Sequence, residues 1–204
     1  MKLIYGKGIN DAKYNVKVWE TIGRVNGKQR QKLVWLCPYY LKWYNMMARC
    51  YSKKYQDTYP SYVNCIVCED WLLFSNFKVW MEKQDWEGKS LDKDLLFDGN
   101  KLYSPDNCVF ISKRLNSFMT ERKQGEFPVG VSWDVNKDKF VAQVRNIFTD
   151  KTERLGYFEE ADTAHKVWLA RKLELAKLLA AEQDDPTVAE ALVRRYENYE
   201  ISQV

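Results

Sequence analysis

The sequence predicts an α+β protein, because the spacing of its apolar residues changes along the chain. Apolar residues recur at helical spacing in 38–51 and fill 69–84 as in a buried helix. The polar, tyrosine-rich stretch between them, 52–64, is predicted to be a loop. After residue 128 apolar and polar residues alternate in short runs, which is typical of antiparallel strands. A chain of 204 residues is long enough to bury a substantial core.

Positive charge is concentrated at the start of the chain. Residues 1–60 carry 12 Lys and Arg against 3 Asp and Glu, a local charge of +9, whereas the whole chain carries +4. The chain is also rich in aromatic residues, with eight Trp and thirteen Tyr. This composition favours a polyanionic partner, since Lys and Arg pair with phosphates and aromatic rings stack on bases. A basic face that is simply solvated is the alternative.

The sequence shows neither the apolar core of a signal peptide nor a run as long as a membrane span. We therefore expect a cytoplasmic protein, in the host cell if a phage encodes it, with no membrane partner and no small-molecule substrate. Its five cysteines are expected to be reduced. Cys65 and Cys68 form a CxxC pair, but Cys37 and Cys50 do not complete a zinc finger by their spacing. Buried thiols are expected here, not zinc.

Several local signals divide the chain. Strand formers in 14–19 and 32–36 flank an Asn-Gly pair, which favours a β-hairpin. An Asp-Pro pair at 185–186 precedes a last helix, for which Thr187 is the predicted cap. The expected order is a basic β-rich segment (1–36), a helical region with a candidate site (37–120), a linker (121–128), a sheet-and-helix domain (129–182) and a C-terminal helix (183–204).

A stretch in the middle of the chain holds a compact set of acids, amides and turn residues. Asp92 and Asp94 flank Lys93, and Asn107 follows after a Gly-containing turn. Asn116 lies on the helix that begins after these residues. The stretch is therefore the candidate for an active site, or for the remnant of one.

Three short alternating runs between residues 129 and 158 predict an antiparallel meander, and a long helix is expected over 160–182. In the middle run Val141, Gln143 and Arg145 alternate with apolar residues, so one face of the sheet carries polar side chains while the other packs on the helix. A β-ribbon fits the DNA major groove, where Arg pairs with guanine and Gln with adenine.

The segment GVSWDVNKDKFVAQVRNIFTDKTERLGYFEEADTAHKVWLARKL, residues 130–173, resembles an AP2 domain. The likeness lies in the Gly-Val start, the aromatic-x-Ala-x-hydrophobic-Arg strand, the Leu-Gly-aromatic-Phe strand, and the acidic and small residues that open the helix. The resemblance implies that the sheet face away from the helix binds the major groove. The implied DNA contacts are Ser132, Gln143, Arg145, Thr152 and Arg154, with Trp133 and Lys139 nearby.

The resemblance has departures. Ser132 and Asp134 stand where plant AP2 domains usually carry arginines, and Arg154 replaces a tryptophan. The base preference of those domains is therefore not carried over. A plain three-stranded sheet on a helix, without a DNA role, is the alternative. His165, the single histidine of the chain, is expected to be a packed or solvated helix residue and not a catalyst.

Three further segments resemble bacteriophage HNH-type, homing-like endonucleases that carry a C-terminal AP2 domain: WYNMMARCYSKKY, VCEDWLLFSNFKVWM and LDKDLLFDGNKLYSPDNCVFISKRLN. The resemblance implies a ββα-metal region in which Asp92 and Asn107 hold one Mg²⁺ or Mn²⁺. It implies catalytic positions at Asp92, Lys93, Asp94, Asn107 and Asn116. In that family a histidine deprotonates the attacking water, and the metal stabilises the charge that develops on the phosphate.

Lys93 stands where the family has its general-base histidine. A lysine of ordinary pKa is charged at neutral pH and cannot accept a proton from water. Three interpretations follow. The site is an altered nuclease in which Asp94 or a metal-bound hydroxide replaces the histidine, it is catalytically silent with Lys93 on a phosphate, or its acids are structural.

The leading hypothesis is a sequence-directed, metal-dependent endonuclease that acts on double-stranded DNA. The alternative is a DNA-binding protein, regulatory or architectural, that does not cleave. A third possibility is RNA or single-strand binding through the aromatic residues of the N-terminal third.

Overall fold

The computed structural model describes residues 3–120 and 126–199, and it confirms the α+β class. The strands are β1 (Lys17–Val25), β2 (Lys28–Leu36), β3 (Ile66–Val67), β4 (Ser90–Asp92), β5 (Leu102–Tyr103), β6 (Val109–Ile111), β7 (Val131–Asp134), β8 (Lys139–Asn146) and β9 (Lys151–Phe158). The α-helices are α1 (Pro38–Tyr51), α2 (Lys53–Thr58), α3 (Phe74–Met81), α4 (Lys113–Met119), α5 (Ala161–Ala180) and α6 (Pro186–Glu197). Single turns of 3-10 helix lie at Pro60–Tyr62 and Glu69–Leu72.

Most of the predicted elements are confirmed. The hairpin forms across the Asn26–Gly27 turn, and the three-stranded antiparallel meander is β7-β8-β9. The predicted helices over 38–51 and 160–182 correspond to α1 and α5. Of the predicted linker, residues 121–125 lie outside the described residues, as do residues 200–204 of the predicted C-terminal segment.

Three local predictions are wrong. The segment 52–64 is not a loop, since Ser52 caps α2 by accepting the N–H of Tyr55 and a 3-10 turn follows. The predicted helix over 69–84 is a 3-10 turn and then α3, because the chain is extended at Leu73. Asp185, not Thr187, caps α6, and its carboxylate accepts the N–H of Thr187 at 2.8 Å.

The chain divides into two compact units, Met1–Glu87 with Gly99–Phe110 and Gly88–Asp98 with Ile111–Val204. In the first unit α1 packs against α3. Trp43 of α1 is fully buried, and its indole N–H donates to the carbonyl of Trp71 at 2.7 Å. This bond satisfies the one polar atom of a large buried side chain, which would otherwise destabilise the core.

In the second unit helix α5 packs against the three-stranded sheet on one side and against α6 on the other. Leu175, Ala176 and Leu179 of α5 are buried, as is Leu192 of α6. Small residues on α5 allow close approach to its neighbours, and the sheet and both helices share one apolar core. The opposite face of the sheet carries Ser132, Gln143 and Arg145 together with the buried Val141.

No helix among the residues that the structure describes combines the length and the apolar composition that crossing a membrane requires.

Gly130 is the position where the chain enters the sheet, and two features require glycine there. Its φ is +79°, in the region that L-residues rarely adopt. A Cβ at this position would lie 2.1 Å from a ring atom of Trp168 on α5. Trp168 therefore packs directly on the backbone at the start of β7.

We predict that Gly130→Ala lowers the free energy of unfolding by about 2–4 kcal/mol, from backbone strain and overpacking together. Gly88→Ala is the matched control in the same unit, because Gly88 also has a positive φ, +69°, but nothing within 4 Å of a built Cβ. The control should lose only the strain, about 1 kcal/mol. Urea unfolding midpoints measure both; equal losses would show that the contact with Trp168 adds nothing.

Candidate functional site

Asp92 lies at the end of β4 and shapes the turn that follows. Its Oδ1 accepts the backbone N–H groups of Asp94 at 2.9 Å and Leu95 at 2.8 Å. Leu91 and Leu95 on either side are buried, so the turn is held against the apolar core. One carboxylate oxygen of Asp92 therefore has a structural role, and a metal ion would have to bind the other oxygen, Oδ2.

The pKa of Asp92 is raised above its ordinary value, chiefly because burial removes water from the carboxylate. The charge of Asp94 raises this pKa further, whereas the two N–H donors and the charge of Arg195 oppose the shift. Burial thus disfavours the ionised form of Asp92 in the folded chain.

Lys93 and Asp94 form an ion pair after the strand. The Nζ of Lys93 lies 2.5 Å from Oδ1 of Asp94, and the Lys93 side chain is only 4% exposed while that of Asp94 is 43% exposed. The Lys93–Asp94 ion pair and the turn held by Asp92 match the interpretation in which these acids have a structural role.

The predicted amides lie on separate elements. Asn107, in the first unit, donates from Nδ2 to Oδ1 of Asn100 at 3.3 Å. Asn100 in turn bonds to both backbone groups of Leu102, which orders the turn before β5. Asn116, in the second unit, lies in α4, the N-terminus of which is capped by Ser112. Asp92, Lys93 and Asp94 are brought together, whereas Asn107 is grouped with Asn100.

Helix α6 makes contacts with the turn after β4 that the sequence did not reveal. Arg194 donates to the carbonyl of Leu96 at 2.9 Å, and Arg195 lies 3.2 Å from the carboxylate of Asp98. Arg195 is also the cation that lowers the pKa of Asp92. Nearly a hundred residues separate these partners, so neither spacing nor periodicity could have paired them; the adjacent arginines of α6 were the only signal.

The predicted DNA-contacting residues of the second unit lie mainly on one face of the sheet. Gln143 pairs with Arg154 across β8 and β9, and Arg145 pairs with Thr152. Ser132 pairs with Val141, which alternates with Gln143 along β8. Paired residues and alternate residues share a face of a sheet. These five predicted contacts therefore share the face that helix α5 leaves uncovered.

Two further predicted contacts differ from that set. Lys139 lies on the same face, where its Nζ pairs with Glu159 at 2.7 Å. Trp133 pairs with Phe140 and packs edge-on against its ring at 4.8 Å, so it lies on the opposite face, which is the face packed on α5. Its indole is 39% exposed. Strand alternation therefore places Trp133, unlike the other implied DNA contacts, on the face that packs on α5.

The arginines of this face already have partners of their own. Arg145 forms an ion pair with Asp150 at 2.5 Å, and both side chains are largely exposed. Arg154 donates to the hydroxyl of Tyr157 at 2.9 Å. Exposed ion pairs contribute only about 0–1 kcal/mol, so exchange of Asp150 for a base or phosphate would cost Arg145 little.

A half-open cleft of about 380 Å³ lies at the end of the sheet. It is lined by Ser132, Gln143, Arg145 and Thr152 from the strands, and by Trp168 and Lys172 from α5. Lys172 is buried and donates to the carbonyl of Phe118 at 2.6 Å. Four of the predicted DNA contacts thus line the same cleft as two residues of α5.

The remaining candidates have structural roles. His165 is buried, its Nδ1 lies 2.8 Å from the carbonyl of Val129, and it stacks on Trp168, which confirms it as a packed helix residue. Cys65 is buried, which confirms the buried-thiol prediction for that residue, whereas Cys68 is half-buried and burial raises the pKa of its thiol. Among the described residues no group of three or more His, Cys, Asp or Glu lies close enough to hold a metal ion.

Comparison with protein-family models, with curated proteins and with solved structures finds no match for this chain.

We predict that Asp92→Asn is at least as stable as the wild type at neutral pH, because the amide Oδ1 still accepts both N–H groups. The pKa of Asp92 is higher in the folded chain than in the unfolded chain, so its ionised form costs stability at neutral pH. That cost disappears as the pH falls below the folded pKa, and the advantage of Asp92→Asn should shrink with it.

Asp92→Ala is the matched variant, since it removes the acceptor as well as the charge. It should lower the free energy of unfolding by about 1–3 kcal/mol. Urea unfolding of all three proteins at neutral and mildly acid pH measures these differences. Equal losses for the Asn and Ala variants at neutral pH would show that the charge of Asp92, and not its acceptor oxygen, holds the turn.

Proposed function

We propose that this chain binds double-stranded DNA through the uncovered face of the β7-β8-β9 sheet and hydrolyses a phosphodiester bond near Asp92. The observation that supports DNA binding is the common face of Ser132, Gln143, Arg145 and Arg154. Such a face matches the direct reading of base edges in the major groove by Arg and Gln. The resemblance to AP2 domains and to HNH-type endonucleases of bacteriophages supports the same proposal.

The sheet face has the chemistry that base recognition requires. The side chain of Arg145 is 67% exposed. Gln143 lies two residues earlier on β8, on the same face of the strand. The structure records a bulge between Ala142 and Gln143, where β9 carries one extra residue opposite β8. Bulges increase the local twist and redirect side chains, which helps a sheet follow a curved groove.

For cleavage, Asp92 is the proposed ligand of one Mg²⁺ or Mn²⁺ through Oδ2, while its Oδ1 keeps the turn in place. When bound, such an ion stabilises negative charge on the scissile phosphate. A single carboxylate is a sufficient protein ligand where water and substrate phosphate complete the coordination. Asp94 is the candidate proton acceptor for the attacking water, and its half-exposed carboxylate is accessible to solvent.

The second candidate is a sequence-specific DNA-binding protein that does not cleave. The Lys93–Asp94 ion pair favours it, because the carboxylate nearest to the histidine position of the HNH family is held by a buried ammonium group. Both candidates share the sheet face and differ only in what the turn after β4 does.

Incubation of the wild type with supercoiled plasmid and Mg²⁺ or Mn²⁺ should produce nicked or linear DNA. Asp92→Asn should lower the rate at least about 100-fold, since it removes several kcal/mol of metal-dependent stabilisation. Asp57→Asn, an exposed position on α2, is the control and should leave the rate unchanged. Intact plasmid together with retained duplex binding would instead support the non-cleaving protein.

Arg145→Ala should reduce the preference for a duplex selected by the wild type over a random duplex by about 1–3 kcal/mol, a factor of about 5 to 150. Lys166→Ala, an exposed cation on α5, should change both affinities alike. Fluorescence anisotropy with the two duplexes measures this ratio. Unchanged selectivity in Arg145→Ala would contradict the assignment of the sheet face as the base-reading surface.

A further inference from the structure

The β1–β2 hairpin, residues 17–36, is the most exposed element of the first unit. Every residue of β1 and β2 is exposed apart from Leu36, and no third strand among the described residues joins the pair. Two strands of nine residues form a ribbon about 30 Å long. A two-stranded ribbon without a further layer buries little apolar surface, so its sequence is open to selection for binding.

The hairpin carries a concentrated positive charge. Five Lys and Arg residues stand against one Glu over residues 17–36, a charge of +4, which equals that of the whole chain. Lys28, Arg30 and Lys32 alternate along β2, and the bulge opposite Arg30 and Gln31 places its extra residue, Ile22, on β1, so the three cations form a row on one face of β2, about 7 Å apart. Opposite Arg30 stands Gly23, which leaves that guanidinium uncovered from across the ladder.

These cations differ from those of the sheet in the second unit. Among the described residues no acid forms an ion pair with Lys28, Arg30 or Lys32. Arg145 and Lys139, by contrast, are paired with Asp150 and Glu159. Glu20 stands opposite Lys32 across the ladder without forming an ion pair, so phosphate contacts of this row replace no internal ion pair, and its net positive charge attracts polyanions at long range.

The hairpin also exposes apolar side chains on both faces. Its exposed large hydrophobic residues are Val18, Trp19, Ile22, Val25, Leu33, Val34 and Trp35. An apolar set of this size on a surface indicates a binding region. Trp19 and Trp35 are 51% and 44% exposed, and indole rings can contact sugars or enter between base steps.

The shape of the hairpin is well defined at both ends. At the tip Asn26 and Gly27 have φ of +50° and +75°, the values of a two-residue type I′ turn, which matches the strand twist. At the base the N–H of Cys37 donates to the carbonyl of Val16 at 2.9 Å, and Lys17 lies over the rings of Tyr40 and Tyr44. The base of the ribbon is thus anchored to α1.

We propose that the β1–β2 hairpin is a second DNA-binding element, a ribbon arm that lies in the major groove with Lys28, Arg30 and Lys32 on backbone phosphates. The major groove of B-form DNA is about 12 Å wide and admits a two-stranded ribbon. The major groove of A-form RNA is too narrow for side chains to read, which favours duplex DNA as the partner. The arm supplies affinity that does not depend on sequence, and the inference rests on the proposed DNA-binding function.

The test measures duplex binding by the full chain over a range of salt concentrations. A triple variant, Lys28→Gln, Arg30→Gln and Lys32→Gln, should lower the affinity for specific and random duplexes alike by at least about 10-fold. The slope of log K against log salt should decrease in magnitude by about 2 to 3, because about 0.9 counterions are released per phosphate contact. The matched control removes the same charge at exposed helix positions, with Lys53→Gln, Lys54→Gln and Lys166→Gln, and should leave the slope nearly unchanged.

The possible outcomes separate the arm from the proposed function. If the wild type binds duplex DNA and the arm variant keeps its affinity and slope, the arm is overturned while DNA binding stands. If the wild type binds no duplex, both are overturned. Loss of single-strand or RNA binding with duplex binding intact would assign the arm to those ligands instead.

A second variant tests whether the arm is an interface between copies of the chain. If Trp19→Ser with Trp35→Ser converts a dimer to a monomer in sedimentation without weakening duplex binding, the arm is such an interface.

Discussion

The second unit depends on the burial of helix α5 on two sides. The sheet covers one side of α5 and helix α6 covers another, and Ala164, Leu175 and Leu179 are almost fully buried as a result. Because α5 occupies one face of β7-β8-β9, Ser132, Gln143 and Arg145 lie on the other face, beside the buried Val141. Because α5 also positions α6, it indirectly places Arg194 and Arg195 beside the turn after β4. One helix thus supports both the proposed binding face and the candidate site.

The two proposed DNA-binding surfaces differ in how their charges are compensated. On the sheet, Arg145 and Lys139 form ion pairs with Asp150 and Glu159. On the hairpin, Lys28, Arg30 and Lys32 form no ion pair among the described residues, although Glu20 stands opposite Lys32. Cations that no ion pair engages suit phosphate attraction. We infer that a chain with both kinds of surface can separate selectivity from affinity.

Asp92 shows how one side chain can serve structure and chemistry together. Its Oδ1 holds the turn through two N–H groups, and burial makes its ionised form unfavourable in the folded chain. A group that costs stability when charged is a common feature of functional sites, although structural networks perturb pKa values too. Lys93 and Asp94 form an ion pair next to it.

Local pattern was sufficient for much of this fold. Alternation predicted the meander and the common face of Gln143 and Arg145, because the period of two in a strand is a property of the backbone alone. Helical spacing predicted α1 and α5, and an Asn-Gly pair predicted the hairpin turn. The wrong predictions were also local. At Leu73 the apolar composition continues, but the backbone is extended and interrupts the predicted helix.

The sequence by itself determined which side chains are available for a site: Asp92 beside Lys93 and Asp94, and a basic hairpin before them. Only the tertiary structure decided what those side chains contact. The bond of Arg195 to Asp98, the burial that raises the pKa of Asp92 and the packing of Trp168 on Gly130 all join residues distant in sequence. Such contacts follow from the packing of whole elements, and packing depends on volumes and shapes that no local pattern records.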